Sequence, residues 1–507
     1  MRRPRYRRAV FAAVVVAALA GIYAGAGALH PTAVAARPGT AARLAVSTAT
    51  RICPAPGSAA PTSASVVVAA MPASSAGGHA VITRLTPGGG PSPGPVVGTD
   101  SQPGVLQLST VTAAPPLTKA AQTGQPGSSA SVTTQDAQGG VMVSAVGAMA
   151  QGLEVEQTGP GGLVTAGCGA PGTSFWFVGP GQAIAGTIEL YLMNSGNQPA
   201  DAAVSALTDV TKGPPLLGNA DNGITVPPHG MVVQSLGRLL QSSKVIALNV
   251  TTSVGQVVAA VRESQSARRD GGWLPPTQAP ARHLVIPGLP GNAGSRSLYI
   301  AVPGSASAQV KITAVTARGS YQPTGGTGID LLGGSAATIP VPSLDGIPGA
   351  IMISANVPVA VTMAVQGGPA GSPGALAVSG LPIGEQGVLA DDPARAAGST
   401  ELVLSAPRQA ASVRIITATS SASAAGQPGT VVQIKAGSSV VVPVSLPRGV
   451  KADAFALLVK PLTGSGPVYA GRIIFSGRTV QSILPVPPAL TWIPLPAVRD
   501  SLSAILR

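Results

Sequence analysis

A loose internal echo of about a hundred residues constrains this chain more than any other feature. Leu190-Tyr191-Leu192-Met193-Asn194, Leu298-Tyr299-Ile300-Ala301-Val302 and Glu401-Leu402-Val403-Leu404-Ser405 each open a segment of the same plan. Leu190, Leu298 and Leu402 stand 108 and 104 residues apart. That spacing exceeds the roughly 20–50 residues of a solenoid unit and suits a module that completes its own core. Inside the segments, runs such as Val310-Lys311-Ile312-Thr313-Ala314-Val315 alternate at the period of a strand. Hydrophobic residues make up 45% of the chain but aromatics only 3%. The cores must then be built from Val, Ala, Leu and Ile, which suits thin β layers. With 65 Gly and 49 Pro, long helices beyond the N-terminus are disfavoured.

The expected fold is mainly β, with tandem immunoglobulin-like β-sandwich modules after one N-terminal transmembrane helix. The boundaries read as a basic segment and anchor at 1–30, a tether at 31–50, and modules at 51–170, 171–280, 281–384 and 385–484. A C-terminal tail covers 485–507.

The N-terminus bears on compartment. Arg2, Arg3, Arg5, Arg7 and Arg8 precede Ala9–Leu29, which holds no charge. Twenty-one apolar residues match the hydrocarbon core of a bilayer, about 30 Å, and the arginines would stay cytoplasmic. The competing reading is a signal peptide cleaved near Ala33-Val34-Ala35-Ala36. Either places the bulk of the chain outside the membrane. The two cysteines, Cys53 and Cys168, would pair most simply in an oxidising compartment, with two free buried thiols as the alternative.

The net charge of +13 does not indicate nucleic acid, because five of its positive charges sit in the first eight residues. The remainder forms no dense basic face interleaved with aromatics. Catalytic and metal-binding patterns are likewise missing. His30, His79, His229 and His283 are widely separated, and no Walker A sequence occurs. Gly90-Pro91-Ser92-Pro93-Gly94 matches Gly-x-Ser-x-Gly, but prolines flank the serine in what reads as a loop rather than a strand-to-helix turn. No cofactor and no metal are expected.

Three tryptophans, Trp176, Trp273 and Trp492, lie near Pro or Gly at the module borders. They read as hydrophobic plugs between modules, or as stacking platforms for sugar rings. The candidate ligand-binding set is Trp176 and Trp273 with Arg268 and Arg269, which belong to the densest remaining basic patch.

Cys168-Gly169, then Phe175-Trp176-Phe177-Val178-Gly179, then Leu190-Tyr191-Leu192-Met193-Asn194-Ser195-Gly196 carry a resemblance. The pattern is similar to an actinobacterial family of exported, membrane-anchored proteins of unknown function. Its members share an Ala/Gly/Pro-rich exported region and a Trp-aromatic-Gly segment before a Leu-x-Leu-x-Asn-Pro-Gly turn. Ser195 stands where that pattern commonly has Pro. The resemblance implies an envelope setting tied to cell-wall glycan assembly and transfers no catalytic residue.

The functional expectation is a non-enzymatic envelope protein, a scaffold or partner-binding arm held at the membrane by its N-terminal helix. The alternative is a glycan-binding accessory of cell-wall polysaccharide assembly. The partners expected are the membrane, a cell-wall glycan or another envelope protein.

Overall fold

The structure is a computed structural model that describes most of residues 43–495 and, before them, 10, 11, 13–21 and 23. The longest stretches outside the described residues are 24–42, 55–64, 113–138, 419–428 and 496–507, which include most of the expected tether and the C-terminal end. Two units are distinguished, Ala45–Trp492 and the termini Met1–Leu44 with Ile493–Arg507.

In the terminal unit the longest unbroken helical run covers 13–21. No helix among the described residues is long and apolar enough to cross a membrane. The transmembrane helix expected over Ala9–Leu29 is thus not borne out among the described residues, and 9, 12, 22 and 24–29 lie outside them.

The larger unit contains one strand plan used four times. In the fourth repeat the strands, in chain order, are Gly387–Pro393, Gly398–Ala406, Ala411–Ala418, Thr430–Ile434, Ser438–Val444, Ala454–Pro461, Tyr469–Ser476 and Thr479–Pro485. Strands one, six, three and four form one antiparallel sheet in that order, and strands five, two, seven and eight form the other. The other repeats follow the same order over 48–167, 174–274 and 281–378. In the third, strands six and seven are continuous as the 18-residue Gly349–Gln366, which pairs into both sheets.

The echo in the sequence is now explained. Thr187–Met193, Arg296–Val302 and Gly398–Ala406 are the second strands, each paired on both sides. Ser65–Ala70 takes the same place in the first repeat, between Gln107–Thr112 and Glu154–Thr158. An immunoglobulin constant domain keeps strands one and two in one sheet. Here they lie in opposite sheets, so the immunoglobulin-like expectation is replaced by this order. In the second repeat the crossing is made by one helical turn, Gln182–Ala185, closed by Gly186 at φ 76°. A side chain is disfavoured in that conformation. Ser92, expected in a loop, opens the strand Ser92–Thr99 beside Gly78–Leu85.

Each sheet pair encloses an aliphatic core. In the second repeat Ile188, Leu190 and Leu192 meet Val204, Ala206, Ile246 and Leu248. The intervening residues are buried too, against the neighbouring repeats. Tyr191 and Met193 pack with Ile52, Leu85 and Met142 of the first repeat. Val245 and Ala247 pack with Tyr299, Ala301 and Ala360 of the third. Third and fourth repeats meet through Val403, Ile473 and Ile483, which join the third repeat's core cluster. Ala69 of the first repeat then packs on Val388, Ala390, Ala456 and Leu458 of the fourth. The four repeats therefore close on themselves, where a string of independent modules was expected.

The disulfide Cys53–Cys168 joins the end of the first repeat's first strand to the residue following its last, across a separation of 115. On the chain-entropy account such a closure is worth about 4–5 kcal/mol.

Third and fourth repeats also approach backbone to backbone. A Cβ on Gly471 would lie 2.6 Å from the Gly288 Cα, and Gly288 itself has φ 76°. Gly471→Ala is expected to lower the unfolding free energy by about 1–3 kcal/mol through overpacking, read by denaturant titration. An unchanged midpoint would show that this contact relaxes freely.

Candidate functional site

The first repeat's seventh strand, Glu154–Thr158, carries the polar groups of the site. Side chains alternate across a strand, so Val155 faces the first repeat's core while Glu154 and Glu156 share the opposite face. That face looks toward the fourth repeat. Arg51, on the first strand, donates from Nη2 to Glu154 Oε1 at 2.9 Å and from Nε to Oε2 at 3.5 Å. Arg472 of the fourth repeat is 0% exposed, and its Nη2 donates to Glu156 Oε2 at 2.8 Å. The Ala390 N–H donates to the other oxygen of Glu156 at 3.1 Å.

These contacts set the electrostatics. Burial pushes the Glu154 carboxyl up, Arg51 pulls it back, and the neighbouring Glu156 charge adds to the upward push. Burial also opposes the Arg51 charge, but Glu154 outweighs it and the guanidinium is held above its ordinary value. The two shifts pull the pair in opposite senses. The two-point contact at 2.9 and 3.5 Å decides it as an ion pair.

Beside these pairs lies a cavity of about 230 Å³ at the junction of all four repeats. Its walls include Cys168, Trp273, Val378 and Leu389, one from each repeat in turn. Trp273 is fixed by an edge-on contact with Tyr191, centroids 5.3 Å apart and planes at 70°. Prolines 54, 275, 276, 485 and 487 also line it. Proline offers no N–H and cannot continue a ladder, so strands end here and leave space between the repeats. Gly167, on the wall, is exposed, and a Cβ there would meet nothing within 4 Å. Pro276 on the same wall is exposed as well.

Of the candidate ligand-binding residues, Trp273 reaches the cavity. Trp176 lies elsewhere, packed between second and third repeats, with its carbonyl accepting from the Thr277 N–H at 2.8 Å. Arg268 and Arg269 lie outside the described residues. Trp492 opens the short strand Trp492–Pro494. Sequence reasoning passed over Glu154, Glu156, Arg51 and Arg472. A signal existed: Tyr469-Ala470-Gly471-Arg472-Ile473-Ile474-Phe475 sets one arginine inside an aliphatic strand. Such a charge requires a buried partner. No group of three or more His, Cys, Asp or Glu suited to a metal occurs among the described residues.

One further acid stands apart. Glu263 is half-buried, but its Oε1 is shut from solvent without a hydrogen-bond partner. Burial pushes its carboxyl up to about 8. Tyr299 of the third repeat is pushed up to about 12, by burial first and then by Glu263.

Fold and cavity define a protein of repeated sheet pairs gathered around one small apolar junction. The chain belongs to the DUF5719 family, a family of unknown function, whose sequence model matches residues 121–445. No curated protein matches it.

Two measurements check this account. Glu156→Ala removes the carboxylate from a buried guanidinium and is expected to cost about 3–5 kcal/mol of stability. A double substitution Glu156→Leu with Arg472→Met should cost less than the sum of its parts. For Glu263 the folded acid holds its proton more tightly than the unfolded one. Its contribution is full below the ordinary glutamate range and is lost as pH rises through about 8. Glu263→Gln should flatten the fall in stability between pH 5 and about 8, followed by thermal melts across that range.

Proposed function

We propose that this protein works outside the cytoplasmic membrane as a non-enzymatic envelope scaffold, built from tandem β-sandwich repeats fixed into one rigid body. The observation that carries this reading is the closure of the first repeat onto the fourth through Glu156, Arg472 and the Ala390 N–H. Such a contact fixes the two ends of the array instead of letting the modules swing as an extended arm. Both carboxylates of the junction already face an arginine, which suits fastening better than proton transfer. Export is supported by the arginines ahead of an apolar N-terminal stretch and by the Cys53–Cys168 disulfide.

The second reading, a glycan-binding accessory, draws on Trp273 in the cavity wall. Among the described lining side chains, only Glu154, Glu156 and the Trp273 indole could meet the many hydroxyls of a sugar. An unmatched hydroxyl in an apolar wall is costly, which favours the scaffold.

A reporter enzyme active only outside the cytoplasm, fused after residue 495, tests the compartment. Activity, together with cysteines that resist alkylation until reduced, is expected. An inactive fusion with two freely alkylated thiols would overturn the reading.

A further inference from the structure

We propose that the four-repeat junction is a binding site for a small uncharged ring carrying a hydroxyl or N–H donor, a phenol-like molecule. This goes beyond the scaffold reading and does not rest on it.

The size of the space comes first. Pockets for drug-sized ligands run to about 300–1,000 Å³. A cavity of about 230 Å³ falls below that range and admits one ring, not a chain of them. The entrance we assign is Gly167, an exposed wall residue whose Cβ position meets nothing within 4 Å.

The walls choose an apolar body. Phe175, Trp273, Leu389, Leu484 and Pro487 converge there, and the aromatic pair can receive another ring edge-on or offset. The charges at the wall cancel in pairs, Glu154 with Arg51 and Glu156 with Arg472. A cation or anion entering this space would lose its hydration without finding a counter-charge.

The remaining hydrogen-bonding capacity of the two carboxylates chooses a donor. A carboxylate offers about four lone-pair sites. Arg51 occupies one site on each oxygen of Glu154, and Ala390 and Arg472 do the same for Glu156. What is left on these two side chains can accept and cannot donate. A ketone or ether finds no match with them, whereas a phenol or indole places its ring on the apolar walls and its proton on a carboxylate oxygen.

The test is calorimetric titration of the full chain with p-cresol, toluene and glucose. One-site saturable binding of p-cresol is expected, at least about ten-fold tighter than toluene because the hydrogen bond is made to a charged acceptor. Glucose should not bind. Gly167→Trp puts a ring at the mouth, where nothing within 4 Å opposes it. It should keep the native melting temperature and abolish cresol binding. Toluene as tight as p-cresol, saturable glucose binding, or no saturable cresol binding would each overturn the assignment. So would undiminished cresol binding by a natively folded Gly167→Trp. Any of these can occur while the exported reporter stays active, so the two proposals fail separately.

Discussion

Burial of both faces of the same strands is the constraint on which this architecture depends. A sheet made of Val, Ala, Leu and Ile can turn one face to its partner sheet, but the other face then needs a cover. In Thr187–Met193 the residues Ile188, Leu190 and Leu192 satisfy the first requirement, and Tyr191 and Met193 the second. In Ala454–Pro461, Phe455, Leu457 and Val459 face inward while Ala456 and Leu458 meet the first repeat. Remove the neighbouring repeat and each of these strands presents a row of aliphatic side chains to water. Association of the repeats is thus a condition of their solubility, and the contact residues are small where backbones come close.

The same condition accounts for the junction. Alanines 69, 390, 456 and 489 let the first and fourth repeats pack closely. At the strand ends prolines replace ladder residues, and packing there stays incomplete. Two ion pairs edge the resulting space. One of them, Glu156 with Arg472, also spans the seam between repeats. A buried pair of this kind adds little net stability over an apolar substitute, yet losing one partner is costly. It therefore specifies which surfaces meet more than it strengthens the meeting.

Much of the fold was legible. The hundred-residue echo located the second strand of three repeats, because that strand lies central in its sheet and its inward residues recur as Leu190, Leu298 and Leu402. The first repeat hid from this comparison, since Ser65-Val66-Val67-Val68-Ala69 lacks the leucines of the others. The closing of the repeats was also written in the chain. Leu190-Tyr191-Leu192-Met193 is continuously apolar, not alternating, and continuous runs mark strands covered on both sides. The site was less legible for a physical reason: Glu156 and Arg472 come together from 316 positions apart. No local spacing encodes such a pair. Only the oddity of Arg472 inside an apolar strand hints at it.

That separation has a temporal consequence. A contact between the opening and closing quarters of a polypeptide must be among the last to form, because loop closure over such a length precedes any reward. As the chain emerges from synthesis or a translocation pore, the earliest repeat waits with Glu156 unmatched until Arg472 arrives.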